Sequence, residues 1–179
     1  MPMQAWEACV NSPGQGAGSA LSNSTAATDI SAAPQYQSQT YGQMYVGQRW
    51  RFTAYGIMST ASSSQGTLNL GFYYGGVAGT ALITTSALTP TASASSWWWQ
   101  IQAFLEVRSL GSSGTVWSQG YFDSPTSATA VTRTQMSGTS QTVSINTTTN
   151  SSLTCGATWG TASSSNSITC EGILIEQVN

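Results

Sequence analysis

The sequence predicts an all-β protein: an antiparallel β-sandwich, a jelly roll of about eight strands, with an extended N-terminal arm. Three observations support this fold class. Apolar and polar residues alternate with a period of two, seven tryptophans and seven tyrosines accompany 18 glycines, and no stretch shows a sustained helical period. An up-and-down barrel is the second choice, because it also joins antiparallel strands without crossover helices.

Residues 1–42 are predicted to form an arm apart from the sandwich of residues 43–179. Residues 11–33 are small and polar, so they bury too little apolar area to offset the entropy lost on ordering. Such a segment either packs on its own domain or binds a neighbouring subunit or another protein. The candidate partner-binding residues of the arm are Trp6, Leu21, Ile30, Tyr36 and Tyr41.

Alternation is most regular in residues 97–108, which predicts a long strand with one buried face. The same pattern predicts strands over residues 67–74 and 49–54. Shorter strands are predicted over residues 81–85, 115–122 and 141–145, separated by clusters of Gly, Ser, Pro and Asn that are typical of turns.

The C-terminal residues 153–172 predict a hairpin about the turn-like residues 160–165. In that register Cys155 lies opposite Cys170, and the apolar residues of both strands share one face. The chain has three cysteines, and their odd number and wide spacing favour free thiols over a disulfide framework or a zinc motif. A bridge between Cys155 and Cys170 under oxidising conditions is the alternative.

Composition excludes several classes of function. The chain has no histidine, its four basic residues are all arginines, and charged residues make up 6% of it against about 25% in an ordinary soluble domain. So few cations provide no basic surface for nucleic acid. No apolar run is long enough to span a membrane, and the N-terminal residues lack signal-peptide features. We therefore expect neither a nucleic-acid nor a membrane partner, no metal and no cofactor, and synthesis in a cytoplasm.

The six carboxylates are the only catalytic candidates. Glu106 with Glu171 or Asp123 would have to flank a cleft to act as a glycosidase pair. The favoured interpretation places Glu106 on the solvent face beside Arg108, and Glu171 and Glu176 as charges flanking the last strand. We expect no catalytic residues and no enzymatic activity.

The tryptophan triplet predicts an interface. Neighbouring strand residues point to opposite faces, so Trp97 and Trp99 enter the core while Trp98 points outward, as does Phe104. Exposed aromatics of this kind form either a subunit contact or a platform for stacking sugar rings. Trp98 and Phe104 are predicted to belong to a subunit interface, since no second outward aromatic at fixed spacing is evident.

Four segments, residues 46–60, 66–76, 95–122 and 153–177, carry a resemblance that covers about three quarters of the chain, residues 45–178. The most specific part is Trp-Trp-x-Gln-Ile with Leu-Glu-Val-Arg in residues 97–108, then a glycine-containing turn and an aromatic-x-Gln-Gly strand at residues 117–120. These segments resemble tailed-bacteriophage virion proteins encoded among the head genes. The resemblance implies a capsid decoration or head-fibre role, a β-rich domain that trimerises outside the shell, and an arm on the major capsid protein.

The expected function is therefore that of a virion structural protein on the capsid surface. It would bind the major capsid protein through its arm, form a homo-oligomer, which the resemblance implies is a trimer, and stabilise the shell. The alternative is a carbohydrate- or receptor-binding β-sandwich module of a phage fibre or tail.

Overall fold

The computed structural model describes residues 17–31, 44–136, 141–149 and 151–178, together with the backbone of residues 7–9 and 36–38. Thirteen β-strands lie in these ranges, which confirms the all-β prediction. They are β1 (Glu7–Cys9), β2 (Leu21–Ser22), β3 (Thr28–Asp29), β4 (Tyr36–Ser38), β5 (Arg49–Ser59), β6 (Leu68–Tyr74), β7 (Thr80–Thr84), β8 (Trp97–Ser109), β9 (Gly114–Ser127), β10 (Ala130–Met136), β11 (Thr142–Ile145), β12 (Ser151–Trp159) and β13 (Ser167–Gln177). No helix in the described part of the chain is long and apolar enough to cross a membrane.

The strands form two antiparallel sheets. The larger sheet has eight strands in the order β1-β13-β5-β8-β9-β10, with β2 also paired to β13 and β11 also paired to β9. The smaller sheet has five strands in the order β3-β12-β6-β7, with β4 also paired to β12. This arrangement is the predicted antiparallel sandwich. Jelly-roll connectivity is a finer expectation, which this strand order does not confirm.

A single apolar core lies between the sheets and follows the predicted alternation. Trp50, Phe52 and Ala54 of β5 point into it, and Phe52 meets Phe72 of the opposite sheet with ring centroids 5.2 Å apart. At this separation aromatic rings attract beyond their area burial. Burying aromatic and aliphatic side chains from both sheets is what holds the sandwich together.

Trp99 fills the core beside a glycine. Gly56 faces Trp99 across the β5–β8 pair. The indole N–H of the fully buried Trp99 donates to the carbonyl oxygens of Ile57 and Thr169, each at 3.2 Å. Since a buried indole donor needs an acceptor, these two bonds make a large polar-tipped side chain acceptable in the core.

The predicted C-terminal hairpin is wrong. β12 and β13 do not pair with each other: β12 pairs with β6 in the smaller sheet, and β13 pairs with β5 in the larger one. The connection of residues 160–166 therefore passes from one sheet to the other. Both strands still turn their apolar faces to the core, so Cys155 and Cys170 are buried between the sheets as free thiols.

The described part of residues 1–42 is not a separate arm. β1 and β2 lie along the outer edge of β13, while β3 and β4 lie along the outer edge of β12. In the first of these pairings Glu7 lies opposite Glu176. Residues 17–31, which we call the edge segment, thus cross from one sheet to the other and supply main-chain partners to two strands whose edges would otherwise be open.

Candidate interaction surface

The outer face of the larger sheet exposes Trp98 and Phe104, as predicted. Both lie on β8, whose alternate residues Trp99, Ile101 and Ala103 are buried. The exposed fraction is 45% for Trp98 and 37% for Phe104. These side chains therefore place apolar surface in solvent on a sheet face that no other described element covers.

Two further apolar side chains on β5 belong to the same surface. Ile57 lies directly opposite Trp98. Tyr55, two residues earlier on β5, lies opposite Gln100. Tyr55 is 50% exposed and Ile57 is 38% exposed. Tyr55 and Trp98 are diagonal neighbours, within reach of each other's rings. We call the surface formed by Tyr55, Ile57, Trp98 and Phe104 the aromatic face.

The sequence prediction missed Tyr55 and Ile57. It ended the alternation of β5 at Ala54, whereas the strand continues to Ser59. The signal was present, because Ala54, Gly56 and Met58 are all small or apolar and face inward. Extending the period of two through Gly56 would have placed Tyr55 and Ile57 beside Trp98.

Amide and tyrosine side chains continue the surface onto β9. The Tyr121 hydroxyl hydrogen-bonds the Oε1 atom of Gln102, which lies opposite it in the sheet. The guanidinium of Arg133 stacks over the Tyr121 ring at 3.8 Å and binds both carboxylate oxygens of Asp123, at 2.8 and 2.9 Å. These contacts restrain the side chains of Gln102, Tyr121 and Arg133, so that binding a partner would cost them little further side-chain entropy.

Ion pairs lie toward the other end of the same face. Arg51 binds Glu176 through two hydrogen bonds of 2.6 and 2.8 Å. Glu106 accepts a hydrogen bond from Arg49 at 2.8 Å and forms an ion pair with Arg108, whose Nε atom lies 3.3 Å away. The bonds to Arg51 lower the pKa of Glu176. With Arg133 on Asp123, all four arginines of the chain are paired with carboxylates. Because Arg49 and Arg108 share Glu106, these four arginines have three carboxylate partners, which leaves one net positive charge among them.

Glu106 and Asp123 do not form the glycosidase arrangement. Glu106 pairs with arginines, as the favoured interpretation predicted. Asp123 lies opposite Gln100, six residues along β8 from Glu106, so the two carboxylates are about 20 Å apart at 3.3 Å per strand residue. This separation exceeds the 5 to 9 Å that two such catalytic groups need. In the described part of the chain, no group of three or more potential metal ligands comes together.

The five predicted arm residues have different positions. Leu21 and Ile30 are buried in the core of their own chain, which corrects the expectation that they face a partner. Both are aliphatic, and the sandwich offers them a site under the edge segment that excludes water. The backbone of Tyr36 lies in β4, opposite Leu153. Trp6, Tyr41 and the side chain of Tyr36 fall outside the described residues.

A cavity of about 150 Å³ lies between the loop of residues 88–91 and strands β9 and β10. Its apolar floor is formed by Met58, Leu68 and Phe122, and its walls carry hydroxyl groups. Those hydroxyls belong to Thr89, Thr91, Ser124, Thr126, Thr132 and Thr134. Because none of its lining side chains is titratable, the cavity suits a small neutral group and supplies no acid or base.

Comparison of the chain with protein-family models, with characterised proteins and with solved structures gives no match.

Proposed function

We propose that this protein is a structural protein of a bacteriophage virion, of the capsid decoration or head-fibre type, and that its copies associate through the aromatic face. The sequence resemblance supports the virion role, and the aromatic face is the observation that carries self-association. The resemblance implies a homotrimer, with the major capsid protein as second partner.

The composition of the aromatic face suits a protein interface. Stable interfaces have a central group of aromatic and aliphatic side chains, surrounded by polar residues that remain partly hydrated. Here Tyr55, Ile57 and Trp98 form the apolar centre, and glutamines and paired arginines surround it. Arg51 and Arg133 each have a carboxylate of their own, so covering these two side chains would bury no positive charge without a counter-charge.

Light scattering on purified variants tests self-association. Trp98→Ser and Tyr55→Ser should each shift the mass toward the monomer while changing the melting temperature little, because about half of each side chain is exposed. An aromatic at the centre of an interface typically contributes about 2 kcal/mol or more, a thirtyfold change in dissociation constant. Leu110→Ser is the matched control, since Leu110 is exposed in the turn between β8 and β9, outside the aromatic face. Unchanged masses for both aromatic variants would contradict the proposal.

Particle binding tests the virion role separately. The wild-type protein should bind purified phage heads that lack it and should raise their resistance to heat, whereas an unrelated β-sandwich protein should do neither. Failure to bind heads, with self-association intact, would leave an oligomeric protein of another role and would reject the capsid assignment.

Glycan binding is the second candidate, favoured by the pairing of Tyr55 with Trp98. Tyr55 and Trp98 place two aromatic rings on one face, on which sugar rings can stack. The neighbouring side chains of Gln100 and Gln102 can hydrogen-bond the sugar hydroxyls. Calorimetry with neutral hexasaccharides distinguishes the two functions. Saturable binding that Trp98→Ser abolishes, in a protein that is monomeric, would favour the glycan function over self-association.

A further inference from the structure

The cavity between residues 88–91 and strands β9 and β10 lies where the inner face of these strands changes from apolar to hydroxyl side chains. On β9 the inward-facing Phe122 is followed by Ser124, and the residues opposite them on β10 are Thr134 and Thr132. These hydroxyl side chains are too short to fill the space below residues 88–91. A volume of about 150 Å³ therefore remains open inside the larger sheet.

We propose that this cavity binds a neutral pyranose ring, either as a free sugar or as the terminal unit of a glycan. The cavity lies on the inner side of the larger sheet, whereas the aromatic face lies on its outer side. The proposal is therefore independent of the proposed function, and it is distinct from stacking of sugars on the aromatic face.

The volume of the cavity matches a six-membered ring. An apolar protein cavity of about 150 Å³ takes up benzene. A pyranose has a ring of the same number of atoms, with hydroxyl groups that extend beyond it. The cavity is open to solvent beside the exposed residues Thr89, Thr126 and Thr132. The hydroxyl groups of the sugar can therefore project through this opening while the ring lies inside.

The two kinds of lining match the two kinds of surface on a pyranose. The C–H groups of the sugar can pack on the floor, where Met58, Leu68 and Phe122 are at most 4% exposed. In the described part of the chain, the hydroxyls of Ser124 and Thr132 take part in no hydrogen bond, so they are available to the hydroxyls of the sugar. A hydrocarbon ligand would cover these groups without giving them a partner.

The absence of charge from the lining selects a neutral ligand. Asp123 and Arg133 belong to the same strands, but they alternate with the lining residues and face the outer side of the sheet. There they bind each other through two hydrogen bonds of 2.8 and 2.9 Å. A sugar acid or a sugar phosphate would therefore lose hydration in the cavity without gaining a counter-charge.

The loop that closes the cavity is held in place before any ligand binds. Leu88 and Leu68 exchange two main-chain hydrogen bonds of 2.9 Å. The Thr91 carbonyl oxygen accepts from the Thr60 hydroxyl at 2.6 Å, and the carbonyl oxygen of the residue before it accepts from the Gln65 side-chain amide at 3.2 Å. Binding therefore does not have to order this loop, which favours affinity for a small ligand.

Titration of the full chain with methyl glycosides of neutral hexoses, followed by the NMR shifts of backbone amides, tests the site. One or more of these glycosides should saturate it with a dissociation constant on the order of 1 mM, a typical affinity for a ligand of this size. The shifts should map to Ser124, Thr132 and residues 88–91. Glucuronate, which adds a carboxylate to the same ring, should bind at least about tenfold more weakly.

Variants of the lining residues separate the contributions of shape and hydroxyl groups. Thr134→Phe fills the cavity and should abolish binding; Ser124→Leu serves if that variant does not fold. Thr132→Val keeps the shape of the side chain and removes its hydroxyl, so binding should weaken about fivefold. Thr158→Val is the matched control, because Thr158 lies on β12 between the inward-facing Ala157 and Trp159 and points to the outer face of the smaller sheet.

Three results would overturn the proposal. If no neutral glycoside gives saturable shifts, the cavity is not a sugar site. If cyclohexanol, which has the ring and a single hydroxyl, binds as tightly as the glycosides, the wall hydroxyls do not select a sugar. If the shifts map to Tyr55 and Trp98 instead, the sugar binds the aromatic face. The expected result is saturable binding of a neutral glycoside at the cavity that Thr134→Phe abolishes and Thr158→Val leaves unchanged.

Discussion

Arg51 and Glu176 face each other on β5 and β13 and form two hydrogen bonds. Protonation of Glu176 in acid should weaken this pair and lower the stability of the folded chain. The pairing lowers the pKa of Glu176 in the folded chain relative to the unfolded one. Its contribution to stability is thus present above the unfolded pKa, near 4.3, and is lost as the pH falls through the lower folded value.

Glu176→Gln should therefore lower stability at pH 7 and not at pH 2. The loss should be less than about 1 kcal/mol, because Arg51 is 42% exposed and solvent screens the pair. Urea unfolding of both proteins at the two pH values measures it. If the wild type and Glu176→Gln differ in free energy of unfolding as much at pH 2 as at pH 7, the loss of the ion pair does not cause the difference.

Cys155 should set the alkaline limit of stability. Because its pKa is raised in the folded chain, the unfolded chain loses this proton first, near pH 8.5, and stability falls as the pH rises above that value. Burial raises the pKa of Tyr73 and Tyr74 as well, which adds to the loss at still higher pH. Urea midpoints at pH 7.5 and 9.5 should differ less in Cys155→Ala than in the wild type; an equal difference would exclude Cys155.

At the scale of the strands, Gly56 permits the close approach of β5 and β13. A Cβ atom at this position would lie 1.9 Å from the Thr169 carbonyl oxygen, which belongs to the neighbouring backbone. Gly56→Ala should cost more than about 3 kcal/mol or prevent folding, since strand backbone cannot shift without breaking the sheet.

Gly47→Ala is the matched control for Gly56→Ala. Gly47 has a φ of +87°, and no atom lies within 4 Å of its added Cβ. It should cost about 1 kcal/mol, from backbone conformation alone. Thermal unfolding of both variants separates the two effects, and equal losses would refute a steric role for Gly56.

The edge segment should be required for folding. Removing residues 1–31 takes Leu21 and Ile30 out of the core and uncovers the edges of β12 and β13. Truncation of each such side chain alone costs about 2 to 5 kcal/mol, a large part of the 5 to 15 kcal/mol that stabilises a typical domain. Circular dichroism of the truncated chain should show loss of cooperative unfolding. A cooperative transition near the wild-type temperature would instead support the prediction that residues 1–42 form an arm apart from the sandwich.

The sequence was sufficient for the strands with dense alternation and insufficient for how they pair. β8 was predicted to within one residue at each end, because its buried face is uninterrupted from Trp99 to Val107. β10 was missed because it is mostly exposed and polar. The hairpin was wrong because alternation fixes which face of a strand is buried, and β12 and β13 satisfy it equally well in one sheet or in two.

The same limits apply to the candidate surface. Trp98 and Phe104 were found from the period of two, whereas Tyr55 and Ile57 required β5 to be extended through Gly56. Leu21 and Ile30 were assigned to a partner because local composition, which is small and polar around them, does not reveal a long-range site in the core.

At the scale of the whole molecule, the proposed self-association should depend little on salt. The four side chains of the aromatic face are uncharged, so screening should remove little attraction. The dissociation constant of the oligomer should change by less than about threefold between 0.1 and 1 M NaCl, where the screening length falls from about 10 to about 3 Å. Sedimentation at both salt concentrations measures this, and dissociation at 1 M would mean that ion pairs hold the copies together.

The antiparallel pairing of β1 with β13 also determines how the molecule responds to mechanical force. Glu7 and Glu176 are opposite each other, so the first and last strands leave the sheet at the same end. A pull between these two residues loads their hydrogen bonds one pair at a time, which opens the strands like a zipper instead of shearing all the bonds together. Tension applied between Glu7 and Glu176 should therefore peel the short strand β1 from β13 at low force, before the longer pairing of β13 with β5 breaks.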